Sequence, residues 1–179
     1  MSSNARQIDP QDSAIHNRDG DGARPSACKS ARAEDFVLTF LERESLEEIC
    51  RLENRCYPAP WSNNLIEGEF DKAVSFRLGI RLNGTIVAYS FNYLVADELH
   101  ILNVAVAPEW RRHGLGRKLI EAILDSARSQ GAQFAILEVR LSNEVARQLY
   151  EGAGFRVSGR RASYYRNNGE DALIMERIL

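Results

Sequence analysis

An apolar run, Ile101-Leu102-Asn103-Val104-Ala105-Val106-Ala107, ends at Pro108 and leads into Arg111-Arg112-His113-Gly114-Leu115-Gly116-Arg117. No other stretch restricts the fold as much. The run is short, apolar and partly β-branched, so it reads as a buried strand. Pro108 has no N–H for a ladder and stops it. Beyond the glycines, Leu115, Leu119, Ile123 and Ala127 recur four apart and share one helix face. The order is therefore strand, tight basic turn, helix start. A helix start carries unpaired N–H groups and roughly half a positive charge. Gly114 and Gly116 lack a Cβ, so an anion can reach the bare backbone, and Arg111, Arg112 and Arg117 add charge around it. The turn suits a phosphate or pyrophosphate; a plain strand-to-helix turn, with glycines for tightness, is the competing reading. A Walker loop would need Gly-Lys-Ser/Thr, and a dinucleotide fingerprint would need a third glycine. Neither is present.

The rest of the chain supplies the elements around that turn. Residues Met1 to about Ala33 contain no Leu, Val, Phe, Tyr or Trp. Such a segment cannot bury enough surface to offset its ordering entropy. The expectation is a disordered tail over 1–33, or alternatively a docking arm, ahead of one domain over 34–179. Asp35 to Leu41 is β-prone. Leu46, Ile49 and Leu52-Glu53 follow at helical spacing, and the helix must end before Tyr57-Pro58-Ala59-Pro60-Trp61. Ser62 is placed to cap a second helix through Phe70, with Trp61 beside it as a packing residue or, alternatively, a ligand contact. Ala73–Leu82 and Thr85–Leu94 are strands joined by Asn83-Gly84, a strong hairpin signal. Leu99 to Ala107 returns beside them and feeds the glycine turn.

The helix after that turn runs to about Ser129 and is closed by Gly131. Gln133 to Arg140 is a strand that puts Phe134, Ile136 and Glu138 on one face and Ala135, Leu137 and Val139 on the other. A carboxylate in line with Phe and Ile is its odd residue. Ser142-Asn143 opens a helix to about Gly152, with Val145, Ala146 and Leu149 on its inner side. Phe155–Val157 and Ala172–Met175 form a last pair of strands around Asn167-Asn168-Gly169.

A net charge of −2 gives no basic field for nucleic acid. Cys28, Cys50 and Cys56 are odd in number and form no CxxC pair, which suits a reducing compartment. His16, His100 and His113 are too scattered to suggest a metal site. No run approaches the roughly 18 apolar residues of a membrane span, and the N-terminus has no apolar core of a signal peptide. The expected location is the cytoplasm.

The order of strand, two helices, three strands, helix, strand, helix, two strands resembles the whole fold of the GNAT superfamily of N-acetyltransferases, over about Asp35 to Leu179. That resemblance implies an α/β (α+β) domain with a mixed central sheet of about seven strands and four helices. Arg-x-x-Gly-x-Gly behind Val-Ala-Val resembles the superfamily's coenzyme A pyrophosphate loop. Four further stretches resemble its RimI subfamily of ribosomal-protein-alanine N-acetyltransferases. They are Pro60-Trp61-Ser62, Leu137 through Asn143, Leu149 through Phe155, and Tyr164 through Ala172. The long N-terminal segment departs from the family, which usually begins near the first strand.

The resemblance implies acetyl-CoA as acetyl donor and no metal. It implies as acceptor a protein N-terminus, that of a small-subunit ribosomal protein with alanine first, and a monomeric enzyme touching neither nucleic acid nor membrane. Position by position, Val104, Ala105 and Val106 match the strand backbone along the pantetheine arm. Arg112, His113, Gly114, Leu115, Gly116 and Arg117 match the pyrophosphate cradle, and Asn143 a coenzyme A contact. Glu138 matches the general base and Tyr150 the general acid.

The residue types suit that chemistry. Acyl transfer needs a neutral amine and a protonated leaving thiolate. An α-amine titrates near about 7.7–8.0, against about 10.4 for lysine, so roughly a tenth is neutral at pH 7 and a carboxylate base has modest work to do. Apolar neighbours on its strand face suit Glu138 to that role; an edge carboxylate paired with an arginine is the alternative. Tyr150 could equally be a core tyrosine. Tyr164 and Tyr165, expected in a loop after the sixth strand, either shape a peptide entrance or simply pack. Two other functions remain open: transfer to lysine or a small-molecule amine, and a catalytically silent acetyl-CoA-binding module.

Overall fold

The computed structural model describes residues 35–179; the tail expected over residues 1–33 lies outside the described residues. The elements run β1 (Phe36–Phe40), α1 (Leu46–Cys56), α2 (Asn63–Glu69), β2 (Ser75–Leu82), β3 (Thr85–Val95), β4 (Glu98–Val106), α3 (Leu115–Ser129), β5 (Phe134–Arg140), α4 (Glu144–Gly152), β6 (Arg156–Tyr165) and β7 (Glu170–Ile178). The seven strands form one sheet in the order β1-β2-β3-β4-β5-β7-β6. Neighbours are antiparallel except β4 and β5, which are parallel. This is the mixed seven-stranded, four-helix architecture that the sequence implied.

Local chemistry explains most boundaries. Ser62 Oγ accepts from the Leu65 N–H and caps α2. Trp61 beside it is buried, 5.6 Å from the ring of Phe91. Asn83 (φ 50°) and Gly84 (φ 84°) both take left-handed backbone, as a two-residue hairpin turn requires. Helix α3 buries Leu115, Leu119, Ile123 and Ala127 together with Ile120 and Leu124. Each fully buried Leu or Ile contributes about 1.5–3 kcal/mol. The helix closes with Ala132 N–H on Ala127 O and Gly131 N–H on Arg128 O, and Gly131 is at φ 93°.

Three expectations need correction. Strands β6 and β7 are far longer than Phe155–Val157 and Ala172–Met175. β6 is an edge strand that is exposed along most of its length, so it carries Arg and Ser where alternation of apolar residues would have revealed it. Tyr164 and Tyr165 consequently end a strand instead of lying in a loop. In α4, Val145 is 41% exposed; Ala146 and Tyr150 form the buried stripe.

Candidate active site

The site begins with a break in the sheet. β4 and β5 pair only from Glu98↔Phe134 to Ile101↔Leu137. The next residue of β4, Leu102, is a bulge: Asn92 of β3 faces Ile101 while Phe91 faces Asn103. One extra residue bends the strand that carries it, and the two parallel strands separate at this point. Beyond it, β5 continues against β7 alone, with Glu138 opposite Ile174. The strands are parallel, so the helix after each, α3 and α4, starts at the same end of the sheet. Ligands of α/β sheets bind in such crevices at the carboxyl ends of strands.

The β4 lip contains Val104, Ala105 and Val106, all buried. Ala107 N–H bonds Val87 O, and alternation along an antiparallel pair then turns the backbone of Val104 and Val106 toward the gap and that of Ala105 toward β3. Their carbonyls have protein donors. Tyr57 OH lies 2.6 Å from Val104 O, and Arg111 Nε and Cys56 Sγ lie 3.3 Å and 3.5 Å from Val106 O. What these two residues offer the gap is their N–H groups. Arg111, expected beside the anion, is turned inward and also reaches Cys56 O. Burial pushes the Cys56 thiol up to about 11, against the pull of Arg111, which leaves it protonated and unreactive.

Where β4 ends, Pro108–Trp110 make a short 3-10 turn, and Arg112 (φ 62°) and Gly114 (φ 77°) take left-handed backbone. No side chain caps α3, whereas Ser62 caps α2 and Asn143 caps α4. A Cβ added to Gly114 would meet nothing within 4 Å. The outer face of the turn is therefore bare backbone, with Arg112, His113 and Arg117 exposed around it. His113 Nδ1 is 2.9 Å from Arg111 O, and Arg117 pairs with Glu121 at 2.9 Å.

The β5 lip supplies Glu138, with a side chain 19% exposed and Oε1 3.3 Å from Arg161 on β6. Its surroundings are more polar than the Phe134-Ile136-Glu138 alternation suggested. Arg161 in turn lies over the Tyr164 ring at 5.5 Å. Asn143 caps α4 through Oδ1 on the Ala146 N–H, but its buried Nδ2 has no hydrogen-bond partner among the described residues. A buried amide donor left this way is costly and is suited to an acceptor from outside the chain. Tyr150 is 1% exposed, and burial pushes its phenol above the ordinary value. It stays protonated at neutral pH, so it can give up a proton but cannot serve as a base.

Two clusters escaped the sequence reading. Glu53, fully buried on α1, accepts from Trp61 N–H (2.7 Å), from Asn103 Nδ2 (3.3 Å) and from Tyr89 OH. Its signal was a carboxylate on the apolar stripe of a helix. Arg140, two residues after Glu138, lies 3.7 Å over the Tyr165 ring and bonds Glu170, Asn167 and Asn168. Among the described residues no group of three or more His, Cys, Asp or Glu could hold a metal ion, and no helix is long and apolar enough to cross a membrane.

The fold is that of an acetyltransferase. The model of the acetyltransferase (GNAT) family matches residues 46–155, and the chain belongs to that family. It is 35% identical over 142 residues to the [ribosomal protein bS18]-alanine N-acetyltransferase of Escherichia coli (strain K12), across 78% of this chain and 95% of that protein. It is 30% identical over 154 residues to the N-alpha-acetyltransferase RimI of Mycobacterium tuberculosis (strain ATCC 25618 / H37Rv), across 83% and 96%. The crystal structure of the ribosomal-protein-S18-alanine N-acetyltransferase from Escherichia coli superposes with a TM-score of 0.76 at 33% identity, over 80% of this chain and 93% of that one.

Proposed function

We propose that the chain transfers an acetyl group from acetyl-CoA to the N-terminal amine of ribosomal protein bS18, at alanine, as a cytoplasmic monomer. The observation that carries this reading is the separation of β4 and β5 after Ile101 and Leu137. The candidate residues stand on a lip of that gap, in the turn that starts α3, or at the start of or along α4. The gap is lined as a donor thioester with a long polar arm and a pyrophosphate would require. The N–H groups of Val104 and Val106 face the arm, Asn143 Nδ2 is a buried donor in need of an acceptor, and the uncapped start of α3 receives the pyrophosphate among Arg112, His113 and Arg117.

Acetyl-CoA supplies the acetyl group already activated as a thioester. Glu138 takes a proton from the acceptor's ammonium, so that the neutral amine attacks the carbonyl carbon and the new C–N bond forms as the C–S bond breaks. Tyr150, a neutral phenol in a dry site, gives its proton to the departing sulfur, and the proton that the new amide nitrogen sheds restores the phenol, so the products are the acetylated N-terminus and the free thiol of CoA. Tyr57, whose OH bonds Asn103 Oδ1 and Val104 O, and Trp61, whose N–H bonds Glu53, brace the β4 lip. The test is a panel of amines with acetyl-CoA. A peptide with a free N-terminal alanine should react, and an N-terminally blocked peptide with one lysine should not. Equal reaction of the two peptides would overturn the N-terminal assignment.

A further inference from the structure

The face of β5 that carries Glu138 does not stop there. Ile136 and Phe134 precede it at two-residue spacing, so all three side chains leave the same side of the sheet. In register, Phe134 stands opposite Ile178 of β7, and Ile136 opposite Glu176, which faces Arg156 of β6. Phe134 is 47% and Ile178 79% exposed, and Ile136 is half-buried behind them. They line an open cavity of about 830 Å³ bordered by Glu98, Arg156 and Glu176. The opposite face of β5 is buried in the core, so this is the open side of the strand. An apolar centre inside a rim of mixed charge is the composition of a protein-docking surface, and its balance of two acids, Glu98 and Glu176, against two bases, Arg156 and Arg177, favours neither nucleic acid nor a strongly charged partner.

We infer that this patch docks the body of the acceptor protein while its N-terminus is in the gap, an inference that rests on the N-terminal acetyltransferase reading above. Continuity argues for that occupant. Phe134 is four residues from Glu138, roughly 13 Å along the strand. An acceptor whose amine reaches Glu138 has about four extended residues before its chain lies level with Phe134. Residues 1–34 of this chain join the described part at β1, the opposite edge of the sheet from β6 and four strand positions from β5. Acceptor choice would then have two parts, a first residue read in the gap and a surface read on the patch. A short peptide can satisfy only the first.

The experiment compares two acceptors, full-length bS18 and the tripeptide of its N-terminus, too short to reach Phe134, with the wild type, Phe134→Asp and Ile178→Asp. Each variant should lower kcat/KM for the protein by about tenfold or more, the size of one lost anchor residue, and leave kcat/KM for the tripeptide within about twofold, which also shows that the variant is folded. In parallel, a benzophenone photocrosslinker placed at position 134 of the full-length enzyme should link to bS18 downstream of its first residues. Unchanged kcat/KM for the protein, or equal loss on both acceptors, would overturn the docking surface. So would a link from position 134 to a second copy of the enzyme or to residues 1–34 of its own chain, because each would identify a different occupant. A wild type that acetylates neither acceptor would overturn the assignment of bS18 as acceptor and the patch together, a result unlike the others.

Discussion

The two lips of the gap are braced in opposite ways. The β4 lip is held by a carboxylate: Glu53, wholly inside the protein, gathers Tyr89, Asn103 and the Trp61 N–H. It ties α1, β3 and the bulged part of β4 to the loop before α2. The β5 lip is held by a cation. Arg140 stacks on Tyr165 and gathers Glu170, Asn167 and Asn168, tying the end of β5 to the β6–β7 turn. The donors at Glu53 are neutral hydroxyl, amide and backbone groups, so the cluster is strong only because it is complete. Each group left unpaired inside would cost about 1–3 kcal/mol. The Arg140 cluster reaches solvent through Glu170, and its strength follows pH. Burial alone would raise the Glu170 carboxyl, but bonds from Ser142, Arg140 and Asn168 outweigh burial and hold it at about 2. One wall of the site is fixed by burial and the other by charge.

Breaking the buried wall should have the largest effect on stability. Glu53→Ala strands three donors, and we expect a loss of about 3–5 kcal/mol in urea unfolding, with Glu53→Gln losing less because it keeps one acceptor oxygen. A loss below about 1 kcal/mol for Glu53→Ala would mean that the cluster does not brace the loop. Arg140→Ala should cost less, about 1.5–3 kcal/mol, the worth of hydrogen bonds to a charged group.

The charged wall should also show its titration. Glu170 has a folded value below its ordinary 4.5, so its contribution is fully present above about pH 4.5 and is lost as pH falls toward about 2. The amount is on the order of 3 kcal/mol. Glu170→Gln should flatten wild-type stability across that window, while Glu53→Gln should leave the acid slope in place. Unfolding midpoints at pH 5, 4, 3 and 2.5 separate the two walls.

The smallest effect on the fold is expected at the mouth of the gap. Gly116→Val leaves a helix position that Val tolerates, so stability should move by less than about 1 kcal/mol. Acetyl-CoA affinity should fall by about tenfold or more, read by calorimetry, because a side chain now stands where the pyrophosphate meets the backbone. Gly114 is a poorer test, since at φ 77° any side chain strains the turn itself.

What could be read from the sequence was local. Asn83-Gly84, Ser62 and Gly131 act through neighbours within a few residues, and the four-residue spacing of α3 reports its buried face directly. The strand-turn-helix at Arg111–Arg117 was legible for the same reason. The edge strand β6 was not, because exposure on both faces removes the alternation that marks a strand. Val145 was misplaced because a short helix offers two apolar stripes, and tertiary packing chose the one with Tyr150. The two braces were hidden because they join positions far apart in sequence. Glu53 bonds Tyr89 and Asn103, 36 and 50 residues away, and Arg140 bonds Glu170, 30 residues away. Spacing could single out Glu53 and Glu138 as carboxylates on apolar stripes, but it could not say which one binds structure and which one faces the gap.

The claim that the gap is the reaction centre rests on Glu138 and Tyr150, and one measurement addresses both: kcat/KM of Glu138→Gln and Tyr150→Phe, each divided by that of the wild type, from pH 6 to 9 with a free-alanine peptide. Each ratio should be lower by about 10²–10⁴-fold near neutrality. The Glu138→Gln ratio should climb as pH rises and the amine loses its proton unaided. The Tyr150→Phe defect should be deepest below neutral pH, where the departing thiolate most needs a donor. Ratios near one for both variants across the whole range would contradict the account and leave the gap without its catalytic pair.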